Sequence, residues 1–381
     1  MKVLVVFGTR PEAIKMCPLI IQMKKTQKIE CCVCLTGQHR EMLQQVMDIF
    51  RLQTQYNLDI MKTNQTLSMI TISIIERIEN IIEFENPDLV LVHGDTSTSF
   101  AASLAAFYQS VPVGHVESGL RTYNLKSPFP EEFNRQAVDL ISELYFAPTE
   151  SARQNLLREG KDASKIFVTG NTVIDVFPFT IKSDYQNDLL KWAEGSRMIL
   201  LTTHRRENIG EPMEHIFHAV KNIIEDFPDV KVIYPIHKNP KVRKIANEIF
   251  QNVERIQITE PFDVVAFHNV MSQSYLILTD SGGVQEEAPS LGKPVLVLRN
   301  TTERPEGIAA GTSKLTGISE TDIYQQIRKL LIDKNAYERM SSAVNPYGDG
   351  HASERITEII LQYLLDKEVE NAEGVNCPSN I

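Results

Sequence analysis

Polar residues and one glycine pair follow the short apolar runs of this chain, where buried strands would end. In the first half of the chain these residues are Arg10, Lys15, Asp95, Glu117, Glu131 and Glu132. In the second half they are His204, His237, Ser281, Gly282 and Gly283. Carboxylates and histidines can transfer protons, and cations or backbone N–H groups can stabilise a departing anion. The set therefore predicts acid–base chemistry beside an anion-binding turn.

The turn Ser281-Gly282-Gly283 stands before a run with helical spacing. Two glycines let the backbone come close to a ligand, and the N–H groups at a helix start bind anions. A glycine turn with a serine N-cap explains the same residues when they are taken alone. Neither GxGxxG nor a Walker A sequence occurs in the chain, so NAD binding and ATP hydrolysis lose their usual sequence support.

Each polar candidate also has a purely structural interpretation. Asp95 is well placed to cap the helix that follows it. Glu131 or Glu132 could pair with Arg135 at helical spacing on a solvated face. A single histidine such as His204 is more often a hydrogen-bonded structural residue than a catalyst. For each residue taken separately, the structural interpretation is favoured. Only the convergence of all these residues at predicted strand ends favours a catalytic or binding role.

The elements that must position these residues alternate between strands and helices. Strands are predicted in the first half at residues 2–7, 31–36, 89–93 and 112–116, and helices at 11–25, 38–50, 67–84 and 97–108. The order restarts with strands at 198–203 and 276–279, after a junction within residues 171–192. This pattern predicts an α/β fold of two Rossmann-like, doubly wound domains, with ligands in a cleft at the carboxyl ends of both sheets.

The composition of the chain indicates which partners it can bind and in which compartment we expect it. The net charge of −10 argues against a nucleic-acid partner. No stretch approaches the roughly 18 apolar residues of a membrane span, and the apolar opening is too short for a secretion signal, which predicts a cytoplasmic protein. Cys31, Cys32 and Cys34 lie in an apolar run, and Cys17 and Cys377 supply no second ligand pair. We therefore expect packing cysteines and no metal.

Eight motifs in fixed order resemble the non-hydrolysing UDP-N-acetylglucosamine (UDP-GlcNAc) 2-epimerase family. They are FGTRPEAIKM (7–16), TGQHREML (36–43), VHGDT (92–96), GHVESGLR (114–121), HRREN (204–208), DSGGVQEEAP (280–289), TTERPE (301–306) and NPYGDG (345–350). The resemblance runs from residue 1 to about residue 365. It implies a glycosyltransferase-B-like fold, with a catalytic domain at 1–172 plus about 352–381 and a UDP-binding domain at 173–351. It also implies a homodimer.

The resemblance assigns roles to individual residues. The catalytic candidates are Asp95, Glu117, Glu131, His204 and Lys15. The residues implied to bind substrate or UDP are Arg10, Lys15, His237, Phe267, Ser281, Gly282, Gly283, Glu287 and Arg304. A second, activating UDP-GlcNAc would contact Gln38, His39, Glu131 and Arg205. Glu41 and Asn64 stand where some bacterial members place Gln and Arg, so we expect weak activation or none.

The implied reaction converts UDP-GlcNAc reversibly to UDP-N-acetylmannosamine (UDP-ManNAc), a precursor of cell-surface polysaccharide. It uses no cofactor, because UDP is eliminated and added back through 2-acetamidoglucal. Three alternatives remain open from the residues. They are a hydrolysing 2-epimerase that releases N-acetylmannosamine and UDP, a retaining glycosyltransferase of the same fold, and a nucleotide-sugar sensor without turnover.

Overall fold

The computed structural model describes residues 1–37, 40–62 and 64–374 of the chain. It divides into two compact units, one formed by Met1–Val176 with Gly348–Ile381 and the other by Phe177–Tyr347. Each unit contains one parallel sheet with helices between successive strands.

The first unit carries a seven-stranded parallel sheet in the order β3-β2-β1-β4-β5-β6-β7. Its strands are β1 (Lys2–Phe7), β2 (Glu30–Leu35), β3 (Tyr56–Asn57), β4 (Leu89–His93), β5 (Val113–Val116), β6 (Leu144–Ala147) and β7 (Ile166–Val168). Its helices up to the junction are α1 (Arg10–Lys25), α2 (Arg40–Ile49), α3 (Leu67–Glu85), α4 (Ser97–Tyr108), α5 (Glu131–Ile141) and α6 (Glu150–Arg158).

The second unit carries a six-stranded parallel sheet in the order β10-β9-β8-β11-β12-β13. Its strands are β8 (Arg197–Thr202), β9 (Val230–Pro235), β10 (Ile256–Thr259), β11 (Leu276–Thr279), β12 (Val295–Val297) and β13 (Ser313–Leu315). Its helices are α7 (Phe177–Thr180), α8 (Asp188–Ala193), α9 (Glu211–Asp226), α10 (Pro240–Phe250), α11 (Val264–Gln273), α12 (Gly282–Ser290), α13 (Pro305–Ala310), α14 (Glu320–Ile332) and α15 (Lys334–Ser341).

Both sheets reverse their strand order beside the first strand, as in dinucleotide-binding folds. Strand β1 reads KVLVVF because helices cover both of its faces, and its last five residues are buried. In the second unit β8 has the same place, between β9 and β11. The predicted α/β fold with two doubly wound parallel sheets is confirmed. That the two sets of strand ends share one cleft stays a prediction.

The last helix, α16 (Ala352–Gly374), belongs to the first unit. Ile356, Ile360 and Leu364 recur at helical spacing and are buried in the same core as α1. At the start of α16, the N–H of Ala352 donates to Asp175 Oδ1 at 3.2 Å. An apolar stripe and a capped first turn therefore attach this helix to the first domain.

The four cysteines among the described residues are packing residues. Cys17, Cys31, Cys32 and Cys34 are buried and free, and burial raises the pKa of the Cys32 thiol to about 11. Among the residues that the structure describes, no cluster of His, Cys, Asp or Glu is arranged to hold a metal ion. Within the same residues, no helix combines the length and apolar character needed to cross a membrane.

Candidate active site

Glu117 follows β5 with a backbone conformation that residues other than glycine rarely adopt. Its φ is +65°, in the left-handed region. The N–H groups of Glu117 and Ser118 both donate to the carbonyl oxygen of Phe146, at 3.1 and 3.2 Å, and hold this turn. Such backbone strain costs about 1–3 kcal/mol and clusters at functional sites. The geometry therefore supports a functional role for Glu117.

Three side chains from separate parts of the first unit surround the Glu117 carboxylate. Lys15 Nζ forms an ion pair with Glu117 Oε2, and Asn171 Nδ2 donates to the same oxygen at 2.7 Å. His93 Nε2, at the end of β4, lies 3.7 Å from that oxygen. The side chains of Lys15 and Glu117 are 15% and 10% exposed. The arrangement orients the carboxylate at the carboxyl ends of the strands, with all three neighbours beside the same oxygen.

Asp95, two residues beyond β4, is paired with a cation of its own. Arg135 Nη2 forms an ion pair with Asp95 Oδ2, and Asn134 Nδ2 donates to the backbone oxygen of Asp95 at 2.9 Å. The N-cap of α4 is Thr96, whose hydroxyl accepts from the N–H of Ser99. The capping interpretation of Asp95 is therefore wrong, and its half-buried carboxylate, 28% exposed, is available for other chemistry.

The two adjacent glutamates at the start of α5 have different environments. Glu132 is completely buried and accepts from the N–H groups of Thr122 and Tyr123, at 3.0 and 2.9 Å. It also pairs with Arg135 at 3.2 Å, so the i,i+3 pairing exists but lies in the interior instead of on a solvated face. Glu131 is the first residue of the helix and is half-buried. Glu132 thus fixes the loop, and Glu131 remains the acid–base candidate of this segment.

A buried charged network lies beneath the turn that carries Asp95. His115 Nε2 contacts the oxygen of Gly94 at 2.8 Å and its Nδ1 contacts Asp139 Oδ1 at 2.6 Å. Each ring nitrogen therefore faces an oxygen atom. Burial by itself would raise the pKa of Asp139, but the charges and hydrogen bonds of His115 and Arg121 lower it below its usual range. The network fixes the backbone that precedes Asp95.

The start of α1 is fixed by a reciprocal cap. Thr9 accepts from the N–H of Glu12, and Glu12 Oε2 accepts from the N–H groups of Thr9 and Gly8 at 2.7 and 3.1 Å. Thr96 donates to Glu12 Oε1 at 2.7 Å. Burial raises the pKa of Glu12 despite these bonds. The cap places Arg10, which is half-buried, at the first position of the helix.

In the second unit, the fully buried Asp280 organises the segment that carries His204. Its carboxylate accepts from the N–H groups of His204 and Arg205, at 3.0 and 2.9 Å, and from Asn208 Nδ2 at 3.0 Å. Burial would raise the pKa of Asp280, but these bonds and the His204 ring, whose Nδ1 lies 3.2 Å away, lower it. Arg205 Nη2 donates to Glu303 Oε1 at 2.8 Å. His204 is thus oriented by a buried anion, with 41% of its side chain exposed.

The turn Ser281-Gly282-Gly283 opens α12, as the sequence predicts. Ser281 is the N-cap, but its side chain makes no capping hydrogen bond. A Cβ on Gly282 would lie 3.1 Å from Glu303 Oε1, and one on Gly283 would lie 3.3 Å from Glu287 Oε1. The first N–H groups of a helix have no partner within it and attract anions. Both glycines are therefore explained by crowding beside a potential anion site.

Glu287 lies on α12 close to His268 of α11. His268 Nε2 is 3.4 Å from Glu287 Oε2, and His268 Nδ1 is 2.8 Å from the hydroxyl of Thr180. The rings of Phe267 and His268 are 6.3 Å apart, and Phe267 is half-buried. The structure thus places Glu287 beside His268, the residue that follows Phe267.

His237 and Arg304 contact other parts of the second unit. The ring of His237 stacks on that of His204, with centroids 6.0 Å apart. Burial and then the neighbouring His204 lower the pKa of His237. Arg304 forms an ion pair with the buried Glu286, and its backbone oxygen accepts from the hydroxyl of Tyr347 at 3.2 Å. The His204 ring thus orients His237, and Glu286 orients Arg304.

Three residues in contact with candidate residues of their own unit were not candidates from the sequence: His93, Asn171 and Asp280. Asn171 follows β7, so the rule that strand ends carry function could have found it, but β7 has only three residues. His93 and Asp280 were within recognised motifs, where their burial could not be read. Of the predicted activator residues, Gln38 and His39 lie outside the described residues.

Comparisons with known proteins show which chains this protein is similar to. A family model described as UDP-N-acetylglucosamine 2-epimerase matches residues 21–361. A UDP-N-acetylglucosamine 2-epimerase of Bacillus subtilis (strain 168) is 55% identical over 361 residues, 95% of each chain. The S. aureus MnaA–UDP structure is 52% identical with a TM-score of 0.87, covering 95% of this chain and 96% of that chain. The Neisseria meningitidis UDP-GlcNAc 2-epimerase bound to UDP-GlcNAc is 49% identical with a TM-score of 0.86, covering 95% and 100%.

Proposed function

The chain belongs to the UDP-N-acetylglucosamine 2-epimerase family, and from this premise we propose that it interconverts UDP-GlcNAc and UDP-ManNAc by eliminating and re-adding UDP. It is an isomerase. The proposal rests on two carboxylates at the carboxyl ends of the first sheet's strands. Glu117 is paired with Lys15, and Asp95 is paired with Arg135. A reaction that needs an acid or base on each face of C2 requires such a set.

The chemistry of the substrate favours elimination. The C2 proton of UDP-GlcNAc is not next to a carbonyl, so direct removal is unfavourable. When the C1–O bond to UDP breaks, positive character at C1 acidifies this proton, and a carboxylate takes it as the C1=C2 bond of 2-acetamidoglucal forms. Re-addition of UDP to C1, with a proton delivered to the opposite face of C2, gives the epimer.

The proposed roles follow the two units. Glu117 with Lys15, Asp95 with Arg135, and Glu131 serve the acid–base steps in the first unit, with Arg10 beside them. His204 and the N–H groups of Ser281, Gly282 and Gly283 stabilise the departing diphosphate in the second. The rest of the proposed UDP site consists of His237, Phe267, Glu287 for the ribose, and Arg304. A cytoplasmic homodimer belongs to the same proposal, with weak activation or none through Gln38, His39, Glu131 and Arg205.

Product formed in heavy water tests the reaction. We expect UDP-ManNAc that carries deuterium at C2, because the proton delivered to C2 comes from solvent. We also expect the bond between C1 and UDP to be re-formed. NMR of a UDP-GlcNAc time course measures both. Epimer without deuterium at C2 would exclude elimination and re-addition. Free N-acetylmannosamine carrying oxygen-18 from labelled water at C1 would instead identify a hydrolysing enzyme.

Gly282→Val tests the diphosphate site. The branched side chain would occupy the space beside Glu303 and block the approach of the diphosphate to the backbone. We expect the Kd for UDP to rise by about tenfold or more, the size of one lost charge-assisted hydrogen bond. Calorimetry measures it, with Ala309→Val, on an exposed position of α13 in the same unit, as the control. Unchanged affinity in folded Gly282→Val protein would move the diphosphate elsewhere.

A further inference from the structure

The ring of His93 contains a buried nitrogen that the fold leaves unsatisfied. Among the residues that the structure describes, His93 Nε2 has no hydrogen-bond partner and no contact with solvent. The side chain is 4% exposed, and Glu117 Oε2 is 3.7 Å from this nitrogen. Buried polar atoms are nearly always satisfied, so an exception at a functional site calls for a partner in another state of the enzyme.

The backbone holds His93 beside Glu117. His93 is the last residue of β4 and is in register with Val116, which directly precedes Glu117. The hydroxyl of Ser99 donates to the oxygen of His93, which ties the end of the strand to α4. A shift of well under 1 Å would therefore complete a hydrogen bond between the two side chains, since bonds of this type are about 2.7–3.2 Å long.

Burial of His93 favours the neutral form of its ring. Burial lowers the pKa of His93 to about 3, and the positive charges of Lys15 and His115 act in the same direction, against the attraction of Glu117. Behind the strand, the Glu12 carboxylate contacts Ser99, and Asp139 is engaged by His115. A neutral imidazole can donate one hydrogen bond without bringing a second cation to the carboxylate.

We propose that His93 is a positioning residue for Glu117, and that during turnover its neutral ring donates from Nε2 to Glu117 Oε2. With Lys15 and Asn171 on the same oxygen, this third donor would hold Oε1 towards the Gly94–Asp95 turn, since a Cβ on Gly94 would lie 3.7 Å from Oε1. The carboxylate is oriented, and because no further positive charge is added, it loses less basicity than a second cation would cause. This inference rests on the proposed function.

Two variants separate the hydrogen bond from simple packing. His93→Met keeps the volume and removes the donor, so we expect kcat to fall by about tenfold. The acidic limb of the kcat–pH profile should move up by roughly half a pH unit to one unit, because the ionised Glu117 has lost a donor. His93→Gln restores a neutral N–H donor and should stay within about threefold of the wild type, with the limb unmoved. The affinity for UDP should change in neither variant.

Ser103→Ala is the matched control, because Ser103 also has a buried oxygen without a partner in the described part of the chain but lies within α4. Equal losses in His93→Met and His93→Gln with an unmoved limb would show a structural role and overturn the proposal. If His93→Met fails to fold, nitrogen-15 NMR of the wild-type histidines with UDP decides. We expect His93 protonated at Nε2 alone, and a bare Nε2 would overturn the proposal. Wild-type product without C2 deuterium would refute the proposed function instead.

Discussion

Glu117→Gln should lower kcat by about 10²–10⁴, the usual contribution of a general acid or base. The amide keeps the shape of the side chain but cannot accept a proton, and Lys15 loses the anion with which it is paired. Asn171 can still donate to the amide oxygen, so the local structure should be preserved. The loss should therefore be one of chemistry rather than folding.

Turnover of UDP-GlcNAc under saturating conditions measures this loss, and calorimetry with UDP measures binding. The affinity for UDP should stay within about threefold of the wild type, because the proposed nucleotide contacts lie in the second unit. Glu150→Gln is the control, since that carboxylate is exposed at the start of α6 and contacts Arg153 and Gln154 in the next turn of the helix. A Glu117→Gln enzyme with kcat near that of the wild type would remove Glu117 from the mechanism.

Asp95→Asn should have an effect of the same order, about 10²–10⁴ in kcat. Its carboxylate is the more accessible of the two, at 28% exposed, and it is paired with Arg135. The substitution removes the negative charge but leaves Asn134 bound to the backbone oxygen. If Asp95 and Glu117 act on opposite faces of C2, one variant should lose elimination and the other re-addition.

Products distinguish the two cases. A variant that releases free 2-acetamidoglucal and UDP retains elimination and has lost the return of the proton, and mass spectrometry of the reaction mixture detects both compounds. Asp48→Asn, at an exposed position of α2, is the control. Full activity of Asp95→Asn would show that Asp95 serves only to anchor Arg135.

The strands and the places where they end were predictable because their signal is local. The run KVLVVF reads as a buried strand from its own six residues, and the rule that parallel strands deliver function at their carboxyl ends directs attention to Asp95 and Glu117. The two-residue strand β3 and the three-residue β7 have too few residues to show a period. The elements therefore differ in predictability according to their length.

The partners within the site were not predictable in the same way. Lys15 and Glu117 are separated by 102 positions, and Asn171 and Glu117 by 54. Sequence spacing gives no information about such pairs without the fold. Burial also decided between interpretations that the sequence left open, since Glu132 is completely enclosed whereas its neighbour Glu131 is not. The contacts among His115, Asp139 and Arg121 likewise could not be predicted from sequence spacing.

The left-handed backbone of Glu117 has a consequence for the engineering of this enzyme. Glycine and asparagine adopt a φ near +65° at less cost than glutamate does. A directed-evolution library screened for heat tolerance alone would therefore enrich Glu117→Gly or Glu117→Asn, and would lose the carboxylate that we propose for catalysis. Heat selection needs a simultaneous catalytic readout at this position.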